Sequence, residues 1–291
     1  MSARGERRVG AALVAPAGAA LALVALGPLL ATAWLSLRHR VPVLGEDHFV
    51  GLSNYRALAH DARFLGALAN TAYFTAVAVG LELLLALPLA LALHHAGRGR
   101  GALRAAVLVP WILPTVVAAK LWALLLQPDL GLLARLWPDG AGAVLTRPRL
   151  ALHAAIFVDV WKTTPFVALL LLAGLQAIPE DLARAARVDG ASALRVFRSI
   201  TLPLLRPALL LALLFRSLDA FRVFDVVFVL TEGGPGHTTE PLSLYAYRTL
   251  LRAGSFGLGA AISLVTFLGV VAIGLAWLSA LGERSPGEAP P

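Results

Sequence analysis

No cysteine occurs among the 291 residues, so disulfides and thiolate metal sites are excluded and the redox compartment is left open. Charge is the second scarcity. Only 14% of residues are Asp, Glu, Lys or Arg while 58% are hydrophobic, and the mean hydropathy is +0.77, which describes a polytopic membrane protein and not a soluble domain. The short motifs of catalysis and nucleotide binding are also missing. There is no Gly-x-x-x-x-Gly-Lys, so the chain does not cradle ATP in that way, and no G-x-S-x-G elbow or H-E-x-x-H helix. The 7 histidines form no metal-ligand spacing. His153 and Ser217, taken singly, read as packing or capping residues. No internal repeat is found, which removes the seam between related halves where many secondary transporters bind substrate. A pathway then belongs between this chain and a second one.

What remains is mostly apolar runs of membrane length. A helix needs about 20 residues at about 1.5 Å each to cross the hydrocarbon core, and six runs qualify, at about 10–36, 66–93, 105–127, 151–175, 204–230 and 258–281. The first resembles a signal peptide in Arg4, Arg7, Arg8 and Ala31-Thr32-Ala33, but its apolar stretch is too long for one, and it reads as a retained helix. Arg4, Arg7 and Arg8, then Arg98, Arg100 and Arg104, then five arginines between positions 184 and 206 all fall on one side. By the positive-inside bias that side is the cytoplasm, with both termini inside. The opposite loops mix Arg with Glu46, Asp47, Asp61, Asp129 and Asp139. The net charge of +8 is therefore explained by topology, without nucleic acid as a partner.

Three polar features interrupt the runs. Ile178 to Pro207 reads as two short helices, Ala183 to Val188 and Ser192 to Ile200, joined by a turn at Asp189-Gly190, with Pro203 and Pro207 marking entry into the fifth run. Leu182, Ala185, Ala186, Leu194 and Phe197 form an apolar strip, suited either to a partner's groove or to resting on headgroups. Within the fifth run Arg216, Asp219, Arg222 and Asp225 alternate in sign at a three-residue spacing, so each is expected to pair with the next along one continuous helix. Four charges facing lipid would be costly at about 2.5–3.5 kcal/mol each, so they must face protein or a wet cavity. Glu82, Lys120, Asp159 and Lys162 are the cross-helix partners available. Both a structural clamp and a polar lining or gate satisfy that requirement. The third feature is Thr231 to Arg248, where Gly233, Gly234, Pro235 and Gly236 cannot continue a helix and turn the chain at the outer face.

Ala185-Ala186, Asp189-Gly190-Ala191 and Ile200-Thr201-Leu202-Pro203 resemble the cytoplasmic coupling motif of the inner-membrane permease subunits of binding-protein-dependent ABC importers. Asn54-Tyr55-Arg56, Asn70-Thr71, Pro110-Trp111, Asp159-Val160-Trp161-Lys162, Pro165-Phe166, Gly233-Gly234-Pro235-Gly236 and Thr239-Glu240 extend the likeness to the sugar-transporting, maltose-importer branch over nearly the whole chain. The run Asp219 to Asp225, DAFRVFD, is most similar to permeases for sugars such as trehalose or maltose.

The resemblance implies an all-α, single-domain permease of the type I importer fold. It sits in the bacterial inner membrane with a coupling loop at 178–203. Implied partners are a second permease in a heterodimer, an ATPase pair, an extracytoplasmic solute-binding protein, membrane lipid and a sugar. No cofactor, metal or catalytic residue is implied. Coupling to the ATPase falls to Arg184, Ala185, Ala186, Asp189, Gly190, Ala191 and Pro203, with Asp189 expected to cap the second short helix. Arg216, Asp219, Arg222 and Asp225 are candidates for the substrate pathway or gate, and Gly233, Gly234, Pro235 and Gly236 for contact with the binding protein. Arg184 departs from the family, which usually has Glu before the two alanines. Either the partner supplies an acid to Arg184, or Arg184 points away and Glu180 or Asp181 takes the ionic role. Glycerol phosphate or a polyol is the competing cargo, and a proton-coupled transporter using Asp219 or Glu82 the competing class.

Overall fold

The computed structural model describes residues 14–97, 99–127, 131 and 144–282. Arg4, Arg7, Arg8, Arg98, Asp129 and Asp139 lie outside the described residues. Five helices are long and apolar enough to cross a membrane, with a sixth span if one bent pair is counted as one. They are α1 (Val14–Ser36), α3 (Ala62–His95), α6 (Pro148–Gln176), α8 (Ala193–Ala220) and α11 (Phe256–Gly282), and the bent pair is α4 (Arg100–Ile112) with α5 (Thr115–Leu125). Shorter elements connect them: an antiparallel hairpin of β1 (Arg38–Val41) and β2 (Glu46–Phe49), then α2 (Ser53–His60), α7 (Glu180–Val188), α9 (Asp225–Leu230) and α10 (Leu242–Tyr247).

Two compact units are distinguishable. One comprises the residues up to Asp61 with Tyr245–Thr266, the other Ala62–Leu244 with the residues from Phe267 on. In the first, Asn54 donates to the carbonyls of Ser36 at 2.8 Å and Arg38 at 3.0 Å, and Tyr55 Oη lies 2.6 Å from Ser36 Oγ. These bonds pin α2 under the junction of α1 and the hairpin. A Cβ on Gly257 would stand 1.9 Å from the Arg38 carbonyl oxygen, so only glycine admits the hairpin against α11 there.

In the second unit α6 is the central helix, packed by α3, α4, α5, α8 and α9. Lipid tails offer no hydrophobic drive for helix association, so contact depends on close van der Waals approach through small residues. Ala86 and Ala90 of α3, Ala168 of α6 and Ala212 of α8 are fully buried at this junction, beside Leu171 and Leu205. Gly174 carries the approach furthest, because a Cβ there would lie 2.5 Å from Ala208 Cβ and 2.9 Å from Leu205 Cδ1. Gly174→Ala is expected to destabilise by about 1–3 kcal/mol through overpacking. Thermal unfolding in detergent checks this, and an unchanged midpoint contradicts it.

Three expected elements differ. The run at 105–127 is not one straight span: α4 and α5 meet at 84°. Pro114 disfavours helical backbone at the residue before it, and Leu113 accordingly has ψ 133° and Pro114 ψ 136°. The run at 204–230 ends at Ala220. There, 3₁₀-type bonds from Arg222 and Val223 to Asp219 and Ala220 close the helix, and Ser243 donates to the Val223 carbonyl. Because no Gly or Pro marks that break, local sequence did not reveal it. Finally, Ser192 to Ile200 is no separate helix but the beginning of α8. A wider π-type turn at Phe197–Thr201 accommodates Pro203, which has no N–H to donate.

Candidate functional site

The expected ladder forms only in part: Arg216 pairs with Asp219 and Asp219 with Arg222, but the last step to Asp225 is missing. Arg216 turns inward, where Nε and Nη2 grip the two oxygens of Glu82 at 2.5 and 2.7 Å in a bidentate fork. Nη2 also reaches Asp159 Oδ2 at 3.0 Å, and Nη1 reaches Asp219. The Glu82 side chain is 0% exposed and Arg216 4%, against 63% for Asp219. Thr163 Oγ lies 2.6 Å from both Glu82 Oε1 and the Asp159 carbonyl. One guanidinium thus joins α3, α6 and α8.

Beyond it the ladder loosens. Asp219 and Arg222 are 3.9 Å apart, Arg222 Nε donates to the Leu218 carbonyl at 3.1 Å, and Asp225 belongs to α9, with no ion pair to Arg222. Asp219, Arg222 and Asp225 instead line a cavity of about 150 Å³ with Asp159, Lys162 and Thr115. Of the four partners named from sequence, Glu82 and Asp159 close on Arg216 and Lys162 lines the cavity, while Lys120 is exposed elsewhere on α5. The clamp and the polar lining therefore coexist, sharing Asp159, Thr163 and Asp219. Thr115 and Thr163 were missed. Thr115 reaches the cavity because α5 is bent, and the Leu113-Pro114 dipeptide was the available signal.

The glycine loop is held from within the same unit. Gly233 and Gly236 have φ of 76° and 60°, in the left-handed region. Thr239 Oγ donates to the Gly234 carbonyl at 2.9 Å. Buried Glu240 receives Arg63 in a fork at 2.7 and 2.8 Å, and its carbonyl accepts from Asn70 at 3.1 Å. Thr71 Oγ accepts from the Leu242 N–H at 2.9 Å. Asn70 and Glu240 are thus partners, and Thr71 holds the next turn at Leu242; Trp111 and Phe166 also meet, their rings stacked at 5.3 Å. Gly233 is buried, whereas Gly236 stands exposed at the loop tip.

On α7 the turn is a Schellman closure: Ala191 N–H bonds the Ala186 carbonyl at 2.9 Å and Gly190 N–H the Arg187 carbonyl at 3.1 Å, with Gly190 at φ 81°. The expected cap is corrected here. Ser192, not Asp189, accepts from the Arg195 N–H at 3.4 Å, because it occupies the position three residues before Arg195. No residue of α7 is buried. At about 100° per residue, Leu182, Ala185, Ala186 and Asp189 share one face and Glu180, Ala183, Arg184 and Arg187 the opposite one. The second face lines a hollow of about 550 Å³ against the ends of α3 and α6. Arg184 lies there, 3.4 Å from Glu180 and 3.3 Å from Asp181. It faces away from Ala185 and Ala186.

A multi-pass helical chain with a clamped buried charge cluster, a polar cavity and an exposed amphipathic helix between spans has the build of a transport subunit. The chain belongs to the family described as the binding-protein-dependent transport system inner membrane component, whose model matches residues 83–282. It is 43% identical over 276 residues to the trehalose/maltose transport system permease protein MalF of Thermococcus litoralis, covering 94% of this chain and 93% of that protein. It is also 43% identical over 286 residues to the trehalose transport system permease protein SugA of Mycobacterium tuberculosis, covering 98% and 92%. A chain in the crystal structure of a bacterial ABC transporter involved in the import of the acidic polysaccharide alginate superposes with a TM-score of 0.81. That match has 21% identity and covers 97% of this chain and 98% of the other.

Proposed function

We propose that this chain is the permease subunit of an ABC importer for a disaccharide or oligosaccharide of the trehalose/maltose kind. The 43% identity across nearly its full length to permeases named for trehalose and maltose carries this reading. Glycerol phosphate or a polyol is the lesser alternative. A second permease completes the pathway, an ATPase pair docks on the cytoplasmic side, and a solute-binding protein delivers sugar from outside. Both termini lie in the cytoplasm. The cavity of about 150 Å³ supports a two-chain pathway, since it is smaller than the roughly 300–1,000 Å³ of a complete small-molecule site. Its exposed carboxylates, Asp219 and Asp225, and its exposed cation, Arg222, are assigned to sugar hydroxyls at the gate, with Arg216 holding Asp219 in place.

Coupling is assigned to the exposed face bearing Ala185, Ala186 and Asp189, with Gly190 and Ala191 holding the turn and Pro203 the junction into α8. Arg184 contributes by pairing on the opposite face. Movement of α7 under an ATP-driven partner is transmitted directly to α8, the helix that carries Arg216. That continuity supports a lever between two sites. Gly233, Gly234, Pro235 and Gly236 are assigned to the binding protein, with Gly236 outermost.

The reading is tested by uptake of labelled trehalose and maltose in cells deleted for this chain and then complemented. Uptake is expected to disappear and return. Undiminished uptake of both sugars in the deletion strain overturns it, and recovery of glycerol phosphate uptake alone transfers the assignment to that cargo.

A further inference from the structure

A hollow of about 550 Å³ lies beneath α7, and neither the transport pathway nor the coupling face uses it. Its walls are apolar, formed by Leu91, Leu175, Ile178, Val196 and Phe197, while His94, His95, Arg187 and the Glu180–Arg184 pair stand at its rim. The polar groups of the rim differ in availability. Arg184 is engaged by Glu180 and Asp181. Arg187 forms no ion pair among the described residues, and His94 makes only an edge contact with the His95 ring at 5.3 Å.

Depth in the membrane sets the chemistry of the occupant. The 34 residues of α3 at about 1.5 Å each extend about 51 Å, more than the roughly 40–45 Å of a bilayer with its headgroups. The helix is thus long enough to reach both interfaces, and its apolar run ends at Leu93 with His94 and His95 following. This order assigns that last turn to the membrane interface, with apolar Leu91 one turn deeper. An apolar trough that opens at this level beneath the Arg187 guanidinium and the His94 imidazole, which can donate a hydrogen bond, is complementary to an anion joined to a hydrocarbon chain.

We propose that this groove binds one anionic phospholipid. Arg187 and His94 hold the phosphate, and Leu175, Ile178 and Phe197 carry the first part of an acyl chain. A free phosphate has no use for the apolar walls, and a zwitterionic headgroup brings its own cation to the same rim. The bound lipid wedges α7 against the ends of α3 and α6, so it sets the resting position of the helix to which coupling is assigned. The binding step depends on neither the cargo nor that assignment.

The test uses the full chain in its purified native complex, delipidated in detergent and titrated with phosphatidylglycerol, phosphatidylcholine or inorganic phosphate, with bound lipid counted by native mass spectrometry. Wild type is expected to retain phosphatidylglycerol in preference to phosphatidylcholine, and phosphate is expected not to compete. The double variant Arg187→Gln/His94→Gln is expected to lose at least about five-fold in phosphatidylglycerol affinity, from the removal of one surface cation. Arg195→Gln removes the same charge from the separate hollow beside Ala186 and Asp189 and is expected to retain wild-type affinity. Equal binding of the two lipids, wild-type affinity in the double variant, or an equal loss in Arg195→Gln overturns the site. Should the double variant fail to assemble, a photoactivatable phosphatidylglycerol on the wild-type complex decides. Cross-links within residues 175–201 support the groove, and their absence there, or a protein cross-linked in the lipid's place, rejects it.

Discussion

Replacing Arg216 with Met is expected to destabilise the protein by about 3–5 kcal/mol, the cost of leaving a buried charge without its partner. Glu82 is wholly enclosed, and the guanidinium supplies two of its hydrogen bonds, with Thr163 as its other partner. Without Arg216, the Glu82 carboxylate is left enclosed between α3, α6 and α8 with Thr163 as its remaining partner. Removing both members is a different matter, because an apolar pair of similar volume avoids the desolvation penalty altogether. The double variant Glu82→Met/Arg216→Met is therefore expected to regain most of the lost stability. Asp159 and Asp219 retain access to the cavity, being 14% and 63% exposed. Thermal unfolding of the detergent-solubilised chain gives the comparison. A single variant as stable as wild type, or a double variant no better than the single, contradicts the clamp. Arg216→Lys separates charge from geometry: a point charge cannot reproduce the fork that holds both Glu82 oxygens while reaching Asp159.

The second large effect belongs to α7. Gly190→Pro is expected to reduce ATP-coupled uptake to background while the protein remains inserted. Proline fixes φ near −65° and has no N–H, whereas Gly190 sits at φ 81° and donates to the Arg187 carbonyl at 3.1 Å. The turn must then reopen, and Ala185, Ala186 and Asp189 lose their direction relative to α8. Gly190→Asn keeps the N–H and tolerates left-handed backbone, so it is expected to retain substantial uptake. Wild-type uptake in the proline variant contradicts the lever. Loss of the inserted protein from the membrane assigns Gly190 to folding instead.

The membrane class, the approximate spans and the polar island at 178–207 were legible because composition, run length and Pro/Gly punctuation act locally. Whole-chain likeness added the family. The last step of the charge ladder, Arg222 to Asp225, was misread for a reason particular to this chain. Alternation at a three-residue spacing describes neighbours on a helix that continues, and α8 stops at Ala220 through bonds that include Ser243, distant in sequence. Likewise the assignment of Asp189 as a cap rested on residue type, while the Schellman closure displaced the cap to Ser192.

Arg184 illustrates the division most plainly. The sequence establishes its identity, its two alanine neighbours and its departure from the expected glutamate, all of which are covalent facts. Which way it faces follows from α7 lying across the ends of α3 and α6, and this puts its guanidinium beside Glu180 and Asp181 and away from the alanine face. The same holds for Arg216: chain order and hydropathy establish that a charge lies within a span. That it should grip Glu82, 134 positions away, and leave Asp219 to the cavity depends on the packing of three helices through alanine and Gly174. Long-range partners are chosen by close approach, and close approach is a property of the assembled helices.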